Sequence, residues 1–149
     1  MEKEPYHYTM CGLDDVYLLN GVTEESTPYG PAVSIQDIDG LHRAIAQHLA
    51  RNKKALNGKE MRFLRKQMDL TQDELSCLLS VSDQSIARWE KGEVDPPGPA
   101  ELSLRTLYLS HAEGKIDAVQ LAKHIKMLGE QPSAPQLFQD GQEGWRAAA

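Results

Sequence analysis

The side chains with the most to offer chemically lie between Ser82 and Lys91. Asp83, Gln84, Ala87, Arg88 and Lys91 share one face at helical spacing, while Ile86 and Trp89 share the other. Glutamine can bond adenine through two hydrogen bonds, arginine can do the same with guanine, and aspartate can accept from the cytosine amino group. The polar face therefore suits base edges in a duplex groove, with Asp83, Gln84 and Arg88 as the base-reading candidates. No comparable case exists for catalysis. The chain has no glycine-rich phosphate loop and no Ser/His/Asp signature, and its best nucleophile pair, Cys11 with His7, is poor. A tetrahedral metal site would need Cys11 plus scattered His7, His42 and His48, too few sulfur ligands for structural zinc. The expectation is a binding protein with no catalytic residue, no metal and no cofactor.

The elements that must hold this face are legible on either side of it. Thr71 is a helix N-cap, and Glu74 three residues later completes a capping box. Leu75, Leu78 and Leu79 give the first helix an apolar face. Val81 fills a turn, Ser82 caps the second helix, and Gly92 supplies a left-handed end. Upstream, Leu41, Ile45 and Leu49 predict a helix over about 39–54, with Asp37 or Asp39 as its cap. Met61, Leu64 and Met68 predict another over about 59–68. Downstream, Pro99 opens a helix to about His111, and Asp117 caps a last one bearing Val119, Leu121, Ile125 and Leu128.

Residues 6–35 lack helical periodicity. Val16-Tyr17-Leu18-Leu19 is β-prone and runs into Asn20-Gly21, a tight-turn dipeptide; Thr27-Pro28-Tyr29-Gly30-Pro31 is a second turn cluster, and 33–35 a further short strand. Tyr6, Tyr8, Leu13, Val16, Tyr17 and Leu18 are the candidate core of this module. From Gly129 the composition turns to Gln, Pro, Gly, Ala and acids, which predicts a flexible tail with Leu137-Phe138 and Trp145 as its only docking groups.

Charge is unevenly spread. The net charge of −6 argues against a simple polyanion binder. Yet residues 41–66 hold eight bases against Glu60, whereas 1–40 hold eight acids against Lys3. The positive stretch sits just ahead of Thr71, where Lys59 and Arg62 could meet phosphates, as could Lys91 beyond it. Hydrophobic residues at 40% and charged residues at 26% describe a globular chain. No apolar run approaches the roughly 20 residues that span a bilayer, and the N-terminus lacks the build of a signal peptide. A cytoplasmic protein with Cys11 and Cys77 as free thiols is expected.

Thr71-Gln72, Glu74-Leu75, Val81-Ser82, Gln84-Ser85-Ile86 and Trp89-Glu90-Lys91-Gly92 closely resemble the Cro/phage-repressor (Xre) family of helix-turn-helix proteins. With flanking helices the likeness covers about residues 58–112. It implies a role for Asp83, Gln84 and Arg88 at base edges, and for Gln72, Ser82 and Ser85 at the DNA backbone. Two residues depart from the family pattern: Ser76 replaces a common Ala, and Ser80 replaces a common Gly. A weaker likeness, through Tyr6-His7-Tyr8-Thr9-Met10-Cys11-Gly12-Leu13, Leu19-Asn20-Gly21, Leu41-His42 and 62–66, is to MqsA-type antitoxin-like regulators, here without their paired zinc cysteines.

The expected fold is mainly α: a five-helix repressor-like helix-turn-helix domain, a small N-terminal β-hairpin or strand-and-turn module, and a flexible C-terminal tail. The expected divisions are 1–38, a connecting helix at 39–57, the DNA-binding domain at 58–128, and the tail at 129–149. The expected function is a double-stranded DNA-binding transcriptional regulator, a repressor acting as a homodimer on a palindromic operator, because one recognition helix reads too few base pairs. The last two helices are its candidate dimer interface. The alternative is an antitoxin that binds a toxin through the N-terminal module and regulates its own operon.

Overall fold

A computed structural model describes residues 4–129 and 135–148. The chain divides into two compact units, one from residues 1–45 and 133–149 and one from residues 46–132. Its order is β1 (Tyr6–His7), β2 (Val16–Leu18), β3 (Val22–Thr27), β4 (Gly30–Ile35), α1 (Ile38–Asn52), α2 (Gly58–Gln67), α3 (Gln72–Leu79), α4 (Asp83–Glu90), α5 (Gly98–Glu113), α6 (Ala118–Met127), β5 (Gln136–Gly141) and β6 (Gly144–Ala147). No helix among the described residues is long and apolar enough to cross a membrane.

In the first unit, strands from both ends of the chain form one sheet in the order β1-β2-β5-β6. β5 runs parallel to β2, pairing Val16 with Gln136 and Leu18 with Phe138. The expectation of a flexible tail is therefore corrected for residues 135–148. Its physical reason is apolar: Phe138 is fully buried, as are Tyr8, Leu13, Val16 and Leu18, and Trp145 donates its indole N–H to the Gln36 carbonyl at 2.7 Å. Of Gln136–Gly141 only Phe138 is a strong strand former, so the β2 edge and the burial of that phenyl ring are what hold the segment extended. Of the expected module core, Tyr6 and Tyr17 lie only half-buried.

Asn20-Gly21 does not close a hairpin. It hands the chain from the four-stranded sheet to a separate ribbon, in which β3 and β4 pair around Pro28-Tyr29. The Asn20 side chain works instead as a strand mimic, donating to the Asp140 carbonyl at 3.0 Å and accepting from the Asp140 N–H at 2.7 Å. Gly21 has φ of 76°, and a Cβ there would lie 2.6 Å from the Trp145 ring. Of the two candidate caps for α1, Asp37 is the one used, accepting from the Gly40 N–H at 3.2 Å. Tyr8 and His42 share a hydrogen bond of 2.8 Å. Burial pushes the Tyr8 hydroxyl up to about 12 and lowers His42 from its ordinary value, so the phenol keeps its proton and the neutral imidazole accepts.

The second unit holds α2 to α6 and the C-terminal half of α1, so its helix count exceeds the expected five. Its core contains Leu49, Met61, Leu64, Leu75, Ile86, Trp89, Leu104, Tyr108, Leu109 and Leu121. On α5 and α6, the candidate dimer interface, Leu104, Tyr108 and Leu121 are thereby used inside one chain, Leu107 and Ile125 are half-buried and Val119 stays exposed. Arg105 is the largest fully buried side chain. Its guanidinium donates to the carbonyls of Leu49 at 3.1 Å, Ala50 at 3.3 Å and Lys54 at 3.1 Å, and pairs with Glu101 at 2.5 Å. A cation on the otherwise unpaired carbonyls at the end of α1 satisfies both the helix terminus and its dipole.

Phe138 distinguishes a docked strand from a tail. Phe138→Ala should destabilise the first unit by about 3–5 kcal/mol in urea unfolding, the usual cost of emptying a core phenyl site; a change within about 0.5 kcal/mol, as for a surface residue, would contradict the packing.

Candidate nucleic-acid interface

Residues 71–92 fold as two short helices joined at Ser80 to Ser82. At the start of α3, Thr71 Oγ1 accepts from the Glu74 N–H at 3.1 Å while the Glu74 carboxylate accepts from the Thr71 N–H at 3.1 Å, closing the capping box. Ser80 ends α3 in the left-handed region, with φ 57° and ψ 42°, and the Val81 N–H reaches back to the Ser76 carbonyl at 3.0 Å. That conformation turns the chain sharply into α4 without a long loop. Ser76, the other departure from the family pattern, is buried but satisfied: its hydroxyl donates to the Asp73 carbonyl at 2.6 Å. Gly92, with φ of 77°, closes α4, with its N–H on the Trp89 carbonyl and the Glu93 N–H on the Arg88 carbonyl, each at 3.0 Å.

Ile86 and Trp89 anchor α4 in the core, and Asp83, Gln84, Arg88 and Lys91 are exposed. The three base-reading candidates therefore lie together on the outer side of one helix, with Asp83 and Gln84 in its first turn. Ser82 is the N-cap, accepting from the Ser85 N–H at 3.1 Å, and its hydroxyl lies 2.9 Å from that of Ser85. Their mutual bond uses one of the two hydroxyl protons, so one hydroxyl remains to donate beside the positive end of α4, a position suited to an anion. Gln72 spends one amide N–H on Glu90 at 3.0 Å, leaving its second N–H for another acceptor. Lys59 and Arg62 lie exposed on the first turns of α2.

The basic stretch ahead of the motif is smaller in space than in sequence. Arg51 pairs with Glu113, Lys53 contacts the buried Glu60 carboxylate at 2.5 and 2.6 Å, Lys54 donates to the Lys126 carbonyl, and Arg65 is buried. The exposed side chains of that stretch are Arg43, Lys59, Arg62 and Lys66.

Arg65 is the residue that counting charges misplaces. Its guanidinium grips the Glu90 carboxylate with two bonds, 2.7 and 2.9 Å, and donates a third to the Leu70 carbonyl at 2.8 Å. One side chain thus joins α2, the connection into α3 and the end of α4. The sequence carried a signal for this: Arg65 occupies the apolar stripe set by Met61, Leu64 and Met68, where a solvated cation would not be placed. Gly58 brings the same elements together from the other end, since a Cβ there would lie 2.4 Å from the Trp89 carbonyl oxygen and 2.5 Å from that of Glu90. Among the described residues no group of three potential ligands could hold a metal ion, and Cys11 sits in a site where burial raises its thiol.

Residues 61–104 match the helix-turn-helix family model, of the Cro/C1 type. That segment is a helix-turn-helix. No curated protein and no solved structure matches the chain.

Two substitutions test the geometry in opposite directions. Glu90→Gln, which leaves the buried Arg65 cation without its counter-charge, should cost about 3 kcal/mol or more in chemical denaturation. Ser80→Gly should raise stability by about 1 kcal/mol by relieving the left-handed strain; a loss on that change would rule out the αL turn.

Proposed function

We propose that the protein is a sequence-specific regulator of transcription, a repressor that binds a palindromic operator as a homodimer. In this proposal Asp83, Gln84 and Arg88 read base edges, and Gln72, Ser82, Ser85, Lys91, Lys59 and Arg62 hold phosphates. The observation that carries it is the exposure of Asp83, Gln84 and Arg88 on a helix whose opposite side, Ile86 and Trp89, is locked in the core. A helix held that way can enter a major groove with little conformational entropy left to lose. The acidic total of the chain does not oppose this, because the residues 1–45 and 133–149 carry ten acids against three bases, while 46–132 are close to neutral.

That same acidity supports a second reading, an antitoxin whose first unit takes a basic toxin while the helix-turn-helix regulates the operon. Copurification of the full chain with the product of a neighbouring gene distinguishes this from a lone regulator.

The DNA reading is tested by binding to the region upstream of the protein's own coding sequence. Arg88→Ala should cost about 1–3 kcal/mol and relax preference at one base pair, as should Gln84→Ala at another. Arg62→Ala should weaken all sequences alike and lower the salt slope by about 1. Unchanged affinity in an Arg88→Ala, Gln84→Ala double variant that keeps its helical circular dichroism would exclude α4 as the recognition helix.

A further inference from the structure

The β3–β4 ribbon has no part in DNA binding as proposed, and its chemistry is unusual for an exposed strand pair. Residues 23–26 of β3 and 31–34 of β4 are all exposed, so both faces of the ribbon meet solvent along its middle. A lone two-stranded hairpin is only marginally stable in water, and further strands sharing an apolar face are one remedy. The two strands differ in how their edges are guarded. β3 carries Glu24 and Glu25 side by side at its centre; β4, Gly30-Pro31-Ala32-Val33-Ser34-Ile35, has no charge at all and leaves Val33 41% exposed. Natural edge strands are normally protected by charge, bulges or proline, and here only Pro31 is present.

The register decides which groups β4 offers. Thr27 pairs with Gly30 across the two-residue connection, Glu25 with Ala32 and Thr23 with Ser34. Hydrogen-bonded and non-hydrogen-bonded pairs alternate along an antiparallel ladder, so these three pairs bond within the ribbon. Pro31, Val33 and Ile35 therefore turn their main-chain groups away from β3. Proline's missing N–H falls on the outer side, where it interrupts nothing inside the ribbon.

We propose that β4 pairs antiparallel with β4 of a second copy, about a two-fold axis at Val33. The two Val33 residues then exchange both main-chain bonds, and each Ile35 N–H reaches the carbonyl of the second copy's Pro31. Pro31 forfeits only the reverse bond. The result is a four-stranded sheet, β3-β4 on one side and β4-β3 on the other, with Pro31, Val33 and Ile35 of both copies on one face. Pairing through β3 about an axis at Glu24 would instead set Glu24 directly against its own equivalent, and like charges directly opposite are destabilising. Burial of Leu104, Tyr108 and Leu121 within one chain leaves Val119 and Met127 as the exposed large apolar residues of α6. The interface rests on the homodimer proposed above and says where it lies.

The test uses the full-length chain in sedimentation equilibrium, with DNA binding measured on the same samples. The wild type should be a dimer. Val33→Lys, which places two ammonium groups across the axis, should be a monomer with unchanged helical circular dichroism and Arg88-dependent binding to a single half-site. Val33→Cys should form an oxidised dimer on a non-reducing gel that the natural Cys11 and Cys77 do not give, and this variant decides the matter if Val33→Lys does not fold. A monomeric wild type, a Val33→Lys dimer, or no Val33→Cys crosslink overturns the interface even where Arg88-dependent DNA binding persists. Loss of Arg88 dependence in a chain that still dimerises through Val33 overturns the DNA reading and leaves the interface standing.

Discussion

The Arg65–Glu90 pair is the constraint from which the helical unit takes its form. Both side chains are nearly sealed from water, at 9% and 5% exposure. Such a pair gives little net stability over an apolar substitute, because desolvating two charges offsets most of their attraction. Its value is positional. A planar guanidinium meets a carboxylate in one fork geometry, and here a third donor is fixed on the Leu70 carbonyl. The start of α3 and the end of α4 are thus referenced to one side chain on α2. Gln72 joins the same carboxylate, so its side chain is oriented by the bond that orients α4.

Close backbone approach reinforces that reference. Gly58 lets the first turn of α2 come against the last carbonyls of α4, which no side chain would permit. The turn is held by Asn57 and Glu60 in a reciprocal cap, with Glu60 drawing in Lys53. A buried carboxylate that caps a helix and pairs with a lysine leaves no lone polar group behind. The left-handed Ser80 adds a small strain at the opposite end of the motif. Caps, glycine and ion pair together convert a weakly helical sequence of short segments into a rigid presentation of Asp83, Gln84 and Arg88.

The first unit obeys a different logic. A two-residue and a three-residue strand cannot make a stable sheet alone, and the chain solves this by returning its last residues as β5 and β6. Parallel pairing of β2 with β5 requires a long crossover, and the entire helical unit serves as that crossover. The two units are thereby interleaved in sequence although separate in compactness, and the acidic charge of both chain ends is gathered into one of them.

By itself, the sequence determined the local elements of the helical unit. Capping residues Thr71 and Ser82, the terminal Gly92 and the periodic Leu75, Ile86 and Trp89 act within one or two turns, where side chain and backbone meet whatever the rest of the chain does. The exposed face of Asp83, Gln84 and Arg88 was legible for the same reason. Only the tertiary structure decided what holds the buried cations: the place of Arg65 in the apolar stripe of α2 points inward, but its partner Glu90, and the carbonyls at the end of α1 around Arg105, lie far off in sequence. It also decided the fate of 136–147, whose strand character depends on an edge more than a hundred residues away. Long-range pairing of that kind carries no local periodicity, because its free energy arises from a surface that exists only after folding.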